Sequence, residues 1–192
     1  MRRFAIALLA GSLVPIAAFA QSASGPASPA REQPEELVEL DYEQFTHKAA
    51  SGNLAEVAMG ELAQERGSRP EVKEFGQRMI EDHSRANEAL TAVAEKKGIT
   101  TPTEPGPEER ETMQRLSALN GEEFDRQYAR LMVEDHRKDV AMYRAMAESS
   151  EDADLKKYAS DTLPVLQEHL TLAESMAQEM AVMPEEASGQ PR

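Results

Sequence analysis

The chain has no cysteine, no tryptophan, only five phenylalanines and four tyrosines, and just four histidines in 192 residues. Without cysteine there can be no disulfide, no thiolate metal site and no lipid attached through an N-terminal Cys. Positive charge is also scarce, with 21 Lys and Arg against 35 Asp and Glu. Such an excess of negative charge repels nucleic acid and anionic membrane surfaces, and leaves cations as the natural counter-ligands. There is no Ser/His/Asp arrangement with an identifiable nucleophile, no glycine-rich phosphate loop and no dinucleotide fingerprint. Long apolar runs are confined to Phe4–Phe19, which is short for a membrane span.

That run follows Met1-Arg2-Arg3 and ends at Ala18-Phe19-Ala20. A basic start, an apolar middle and an A-x-A site predict a secretory signal peptide over residues 1–20, cleaved after Ala20, and hence a periplasmic or secreted protein with no membrane span in the mature chain. Removing Arg2 and Arg3 leaves 19 basic residues against 35 acidic, a formal charge near −16. Residues 21–40, rich in Pro, Ser and Ala, read as a flexible leader, and residues 183–192 as a disordered tail.

Between them the vocabulary is helix-forming (Ala, Glu, Met, Leu, Arg, Gln) and the apolar spacing is helical. The pattern predicts a first helix over about Asp41–Arg66, stopped by Gly67. Ser68-Arg69-Pro70-Glu71 has the form of a capping box and starts a second helix that runs to Lys97, before Gly98. A breaker-rich loop, Ile99–Pro107, leads to a short helical piece over Glu108–Leu119. Asn120-Gly121 then precedes a third long helix, Glu122–Glu148, and a fourth follows over Ala153–Ala181. The loop and short helix together are long enough to span a bundle of about 40 Å. The expected fold is therefore all-α: an antiparallel four-helix bundle over residues 41–182, with a crossover carrying a short extra helix between helices two and three.

The polar residues inside the apolar stripes are the informative ones. His83 falls in the seam of helix two, next to Asp82, and His169 in that of helix four, next to Glu168. On helix three the stripe passes Asp135 and Asp139, with His136 on its flank, and Glu56 is the acid among the apolar positions of helix one. Each of Glu56, His83, His136 and His169 lies near its helix's midpoint, and at about 1.5 Å per residue all four fall within roughly 3 Å of one height. They are candidate direct ligands of a metal ion. Adjacent residues in a helix point about 100° apart, so an Asp-His pair cannot easily chelate one ion. Asp82, Asp135, Asp139 and Glu168 are instead candidates to orient another helix's imidazole, or alternative ligands. Two other readings stand beside this one: an internal hydrogen-bond network with no ion, and a proton-shuttling enzyme for which no substrate can be named. Met79 and Met132 read as core, and His47 as surface.

The blocks "AASGNLAEVAMGELA" (Ala49–Ala63), "EVKEFGQRMIEDHSRANEAL" (Glu71–Leu90), "FDRQYARLMVEDHRKDV" (Phe124–Val140) and "TLPVLQEHLTLA" (Thr162–Ala173) resemble a secreted bacterial family, number 4142 among the domains of unknown function. The resemblance implies a ferritin-like four-helix fold and an exported protein, and carries no activity with it. Ferritin-like di-metal centres use Glu-x-x-His, whereas the positions three before His83, His136 and His169 are Ile80, Val133 and Leu166. A di-iron oxidase mechanism therefore does not transfer. Any bound metal would have a histidine-rich ligand set, suited to zinc, copper or a mononuclear iron. Protein partners are not indicated.

Overall fold

The computed structural model describes residues 42–182. The expected signal peptide, leader and tail lie outside the described residues. All regular structure among the described residues is α-helical: α1 (Tyr42–Arg66), α2 (Pro70–Lys96), α3 (Pro107–Ser117), α4 (Gly121–Ser149) and α5 (Ala153–Val182).

Local chemistry sets most of these boundaries. Pro70 occupies the first position of α2, where its missing N–H costs nothing. Gly98, at φ +69°, closes α2, and Gly121, at φ +61°, opens α4; both conformations are unfavourable for residues with a side chain. Asp152 caps α5, its Oδ1 accepting the backbone N–H groups of Asp154 (3.1 Å) and Leu155 (3.0 Å).

The capping box expected at Ser68 does not form. The N-cap of α2 is Arg69, with no side-chain cap of its own. Ser68 turns away: its hydroxyl and backbone N–H, together with the N–H of Arg69, all donate to the carboxylate of Asp125 on α4. Asp125 is fully buried, so one carboxylate from a distant helix does the work that a local cap would have done.

Neighbouring helices run in opposite directions. Asn53 of α1 meets His83 of α2, and Gly60 meets Gly76; Tyr143 of α4 meets Tyr158 of α5. Lys97, just beyond α2, bonds Asp152 at the start of α5 (2.6 Å), while Arg66 at the end of α1 bonds Asn120 at the start of α4 (3.0 Å). The segment from Lys97 to Asn120 thus joins these two places, and α3 within it packs on α1 and α4. The α1–α2 approach is close because both partners are glycine: a Cβ on Gly60 would sit 2.6 Å from the Gly76 carbonyl oxygen.

The apolar core is in two parts. One gathers Met59, Val72, Phe75, Met79, Phe124, Tyr128 and Met132; the other gathers Phe45, Leu90, Val140, Tyr143, Leu155, Tyr158 and Leu166. Burying each of these large side chains stabilises the fold by roughly 1.5–3 kcal/mol. Asn53, Glu56, His83, His136 and His169, all buried, belong to neither cluster. Pro164 lies inside α5 on its exposed side, and the helix continues through it to His169.

The phase of α4 differs from the expected stripe. His136 is at its centre, fully buried in line with Tyr128, Met132, Val140 and Tyr143, while Asp135 and Asp139 are half-buried at the side. α3 packs on α1 and α4 and so shelters a second face of α4, which makes both faces partly apolar and shifts the buried centre by about one residue.

Candidate metal centre

Three helices each deliver one imidazole to the same place: His83 from α2, His136 from α4 and His169 from α5. Their ring centroids lie 5.3–5.7 Å apart, and one ring nitrogen from each falls within 4.8 Å of the other two. The ring of Phe75 stands steeply inclined to those of both His136 and His169, with ring centroids 6.2 Å apart in each pair.

On every ring the other nitrogen is already engaged. His83 Nδ1 is 3.0 Å from Asn53 Oδ1, His136 Nδ1 is 2.8 Å from the Met132 carbonyl oxygen, and His169 Nε2 is 2.9 Å from Asp82 Oδ2. A carbonyl and an ionised carboxylate can only accept, so His136 must carry its proton on Nδ1 and His169 on Nε2. The same assignment on His83 follows from the oxygen of Asn53. That leaves His83 Nε2, His136 Nε2 and His169 Nδ1, which are buried and have no hydrogen-bond partner.

Three acceptors without a donor among them cannot satisfy one another. Reversing the Asn53 amide would place one proton on His83 Nε2, which still leaves an acceptor without a donor. Protonating a ring is also opposed. Burial and the neighbouring rings hold His83 well below the ordinary imidazole range, burial and His169 push His136 down to about 4, and burial outweighs Asp82 in lowering His169. Neutral imidazoles packed together, each fixed by an oxygen on one nitrogen and with the other nitrogen spare, are a donor set suited to a transition-metal ion.

The acids divide between several roles. Asp82 reaches across from α2 to His169 and is also paired with Arg85; burial works against its charge, but these two bonds outweigh it and hold the carboxyl below its usual range. Glu168 is exposed and bonds Arg78 (2.6 Å), and Asp135 lies 3.4 Å from Lys138. Glu56 is buried, its Oε1 3.9 Å from His136 Nδ1, the nitrogen that faces Met132 rather than the other histidines. Burial first, then Asp139 and Asp135, hold its pKa well above the ordinary value for a glutamate. Among the described residues, the ligand atoms that all lie within 4.8 Å of one another are those of the three histidines, without Glu56 or Asp139. His47 is exposed, and Met79 and Met132 are core.

Asn53 was not singled out in the sequence, yet it orients His83 and is itself joined to Tyr158 (3.5 Å), whose hydroxyl meets that of Tyr143 at 3.0 Å. Its spacing from Phe45, Ala49 and Glu56 on one face of α1 was the available signal.

The chain is similar in fold to several solved structures. A DUF305 protein from Streptomyces coelicolor, described as a candidate secreted protein, aligns at 16% identity with a TM-score of 0.61, covering 72% of this chain and 93% of that one. A DUF305 fragment from Deinococcus radiodurans aligns at 17% identity with a TM-score of 0.63, covering 71% and 95%. CopM in its Cu(II)-bound form aligns at 16% identity with a TM-score of 0.58, covering 71% and 95%. At these identities the likeness is one of fold, and the DUF305 proteins belong to the ferritin-like fold. No curated protein matches the chain. The profile of one family, the domain of unknown function DUF4142, matches residues 26–176, and the chain belongs to that family.

Proposed function

We propose that this protein is an exported ferritin-like four-helix bundle that holds one transition-metal ion on His83 Nε2, His136 Nε2 and His169 Nδ1. The observation that carries the reading is the meeting of three buried imidazoles, each bringing a ring nitrogen within 4.8 Å of the others and each having one ring nitrogen without a hydrogen-bond partner. On this reading α1, α2, α4 and α5 are the bundle, and the segment holding α3 is its crossover. The signal peptide expected over residues 1–20, together with the secreted description of a structural neighbour, supports a place outside the cytoplasm. Asp82 and Asn53 would orient the ligands from behind.

Copper is the first candidate among zinc, copper and iron. Three imidazoles bring no negative charge, and Asp82 is the ionised carboxylate bonded to one of them. Because Asp82 is also paired with Arg85, the set carries no net negative charge, and the charge of a monovalent ion costs less to bury there than that of a divalent one. Imidazole is among the ligands that suit copper. A structural neighbour described in its Cu(II)-bound form supports copper as the element. An ion held there would be sequestered in a closed core, which suits storage or carriage better than turnover.

The test is metal binding by the purified chain. Anaerobic titration of copper(I) against a chromophoric chelator should give one ion per chain, with X-ray absorption showing nitrogen ligands. His83→Ala and His169→Ala should each lose the ion while keeping their helical circular dichroism. Absence of copper, zinc and iron binding, or an ion retained in both variants, would overturn the proposal in favour of a hydrogen-bond network alone.

A further inference from the structure

A cavity of about 440 Å³ opens between α1, α3 and α4, lined in part by Glu56 and Asp135. Its charged walls are Glu56, Glu108, Glu109, Asp135 and Asp139, against Lys48 and Lys138. Lys138 is three-quarters exposed and lies 3.4 Å from Asp135, so the acid excess is not neutralised by the protein. Acidic clusters are common on surfaces, but one member here is unusual. Glu56 is only 2% exposed, and its Oε2 has no hydrogen-bond partner. A buried carboxylate oxygen with nothing to accept from is costly unless a proton or a cation accompanies it.

We propose that this cavity is a second cation site, separate from the histidines, that takes a hydrated hard divalent ion of the magnesium, calcium or manganese class through Glu56, Asp135 and Asp139. The chemistry of the donors is the first reason, since all three offer only oxygen. Their spacing is the second. These carboxylates do not converge within the 4.8 Å that unites the histidines, so they cannot cage a bare ion. The cavity instead has room for about fifteen waters at about 30 Å³ each. Hard divalent ions keep several of their waters and bind through one or two carboxylates, which matches a roomy, oxygen-lined space. Asp135 and Asp139, four residues apart on α4, present their carboxylates on one face of that helix, and Glu56 faces them from α1. Burial and the charge of Asp135 push Asp139 up to about 7, the strain expected of carboxylates crowded without a counter-ion. The two sites would differ in kind: nitrogen donors in a sealed core, oxygen donors in an open cavity.

Manganese(II) chloride is the probe, titrated into the full chain with the free ion followed by electron paramagnetic resonance. One manganese per chain is expected. Its dissociation constant should rise about ten-fold or more in Asp139→Asn and in Glu56→Gln, recover in Asp139→Glu, and stay unchanged in His83→Ala and in the surface control Glu122→Gln. Circular dichroism of each variant separates lost binding from lost folding. No manganese binding by the wild-type chain, or unchanged binding in both Asp139→Asn and Glu56→Gln, overturns the proposal. A manganese ion lost in His83→Ala also overturns it, by placing the ion on the histidines. Failure of the histidine site shows separately, as absence of copper, zinc and iron uptake.

Discussion

Asp82 Oδ2 accepts the Nε2 proton of His169 at 2.9 Å across the α2–α5 interface, although the histidine next to Asp82 in sequence is His83. The acid thus serves a ring 87 residues away, and it fixes which nitrogen of that ring is free.

Replacing Asp82 by Asn should therefore leave the helices intact while weakening metal binding by about 10- to 100-fold, the usual effect of losing a partner behind a ligand. The check is chelator competition on the folded variant. Because its hydrogen bonds keep Asp82 ionised below the unfolded-state value of about 3.9, its contribution to stability is present above that pH and is lost as pH falls through the lower folded value.

Asn53 governs His83 in the same way through its 3.0 Å contact with Nδ1. Asn53→Leu should lower metal affinity about ten-fold or more, and Asn53→Asp, which keeps an acceptor, should restore most of it. Tyr158→Phe removes the hydroxyl behind Asn53 and should have a smaller effect in the same direction. Equal affinities for Asn53→Leu and wild type would show that His83 needs no support.

The ion-free protein should titrate in two opposed ways. Folded His136 takes a proton only near pH 4, while the unfolded chain does so near about 6.5, so this group's contribution is complete above 6.5 and is lost as pH falls to about 4. The difference between those values corresponds to about 3 kcal/mol. Asp139 behaves oppositely. Its folded form keeps a proton up to about 7 and its unfolded form only to about 3.9, so stability is lost as pH rises between them. The melting temperature of Asp139→Asn relative to wild type should thus climb from pH 4 to 7 and then level off. That of His136→Leu relative to wild type should improve as pH falls from 6.5 to 4.

Asp125 tests a purely structural role. Its carboxylate satisfies two backbone N–H groups and one hydroxyl where α2 begins. Asp125→Ala should cost about 2–3 kcal/mol, seen as a drop of several degrees in thermal unfolding, with metal stoichiometry unchanged.

These residues also mark what was legible in the sequence. Helix extents followed from apolar periodicity and from Pro70, Gly98 and Asn120-Gly121, because these act locally. The common height of the histidines followed from helix rise alone. Rotation did not, since α3 shelters a second face of α4 and gives Asp135, His136 and Asp139 competing claims on the core. The cap from Asp125 and the Asp82–His169 bond were out of reach for another reason: each joins residues far apart in sequence, and only the packing decides which acid meets which partner. Glu168 and Asp135, also adjacent to histidines, found exposed bases in Arg78 and Lys138 instead.

The histidine layer between the two apolar clusters also bears on how long the molecule lasts. Without an ion, the centre of the protein carries three acceptors and too few protons, a fault that apolar packing on either side must tolerate. Under the proposed reading an ion repairs it, and a ligand at a hundred times its dissociation constant adds about 2.7 kcal/mol to stability. That lowers the unfolded fraction about a hundred-fold. For a chain exported as proposed, where proteases remove whatever opens, the amount of protein would then follow the supply of the proposed metal.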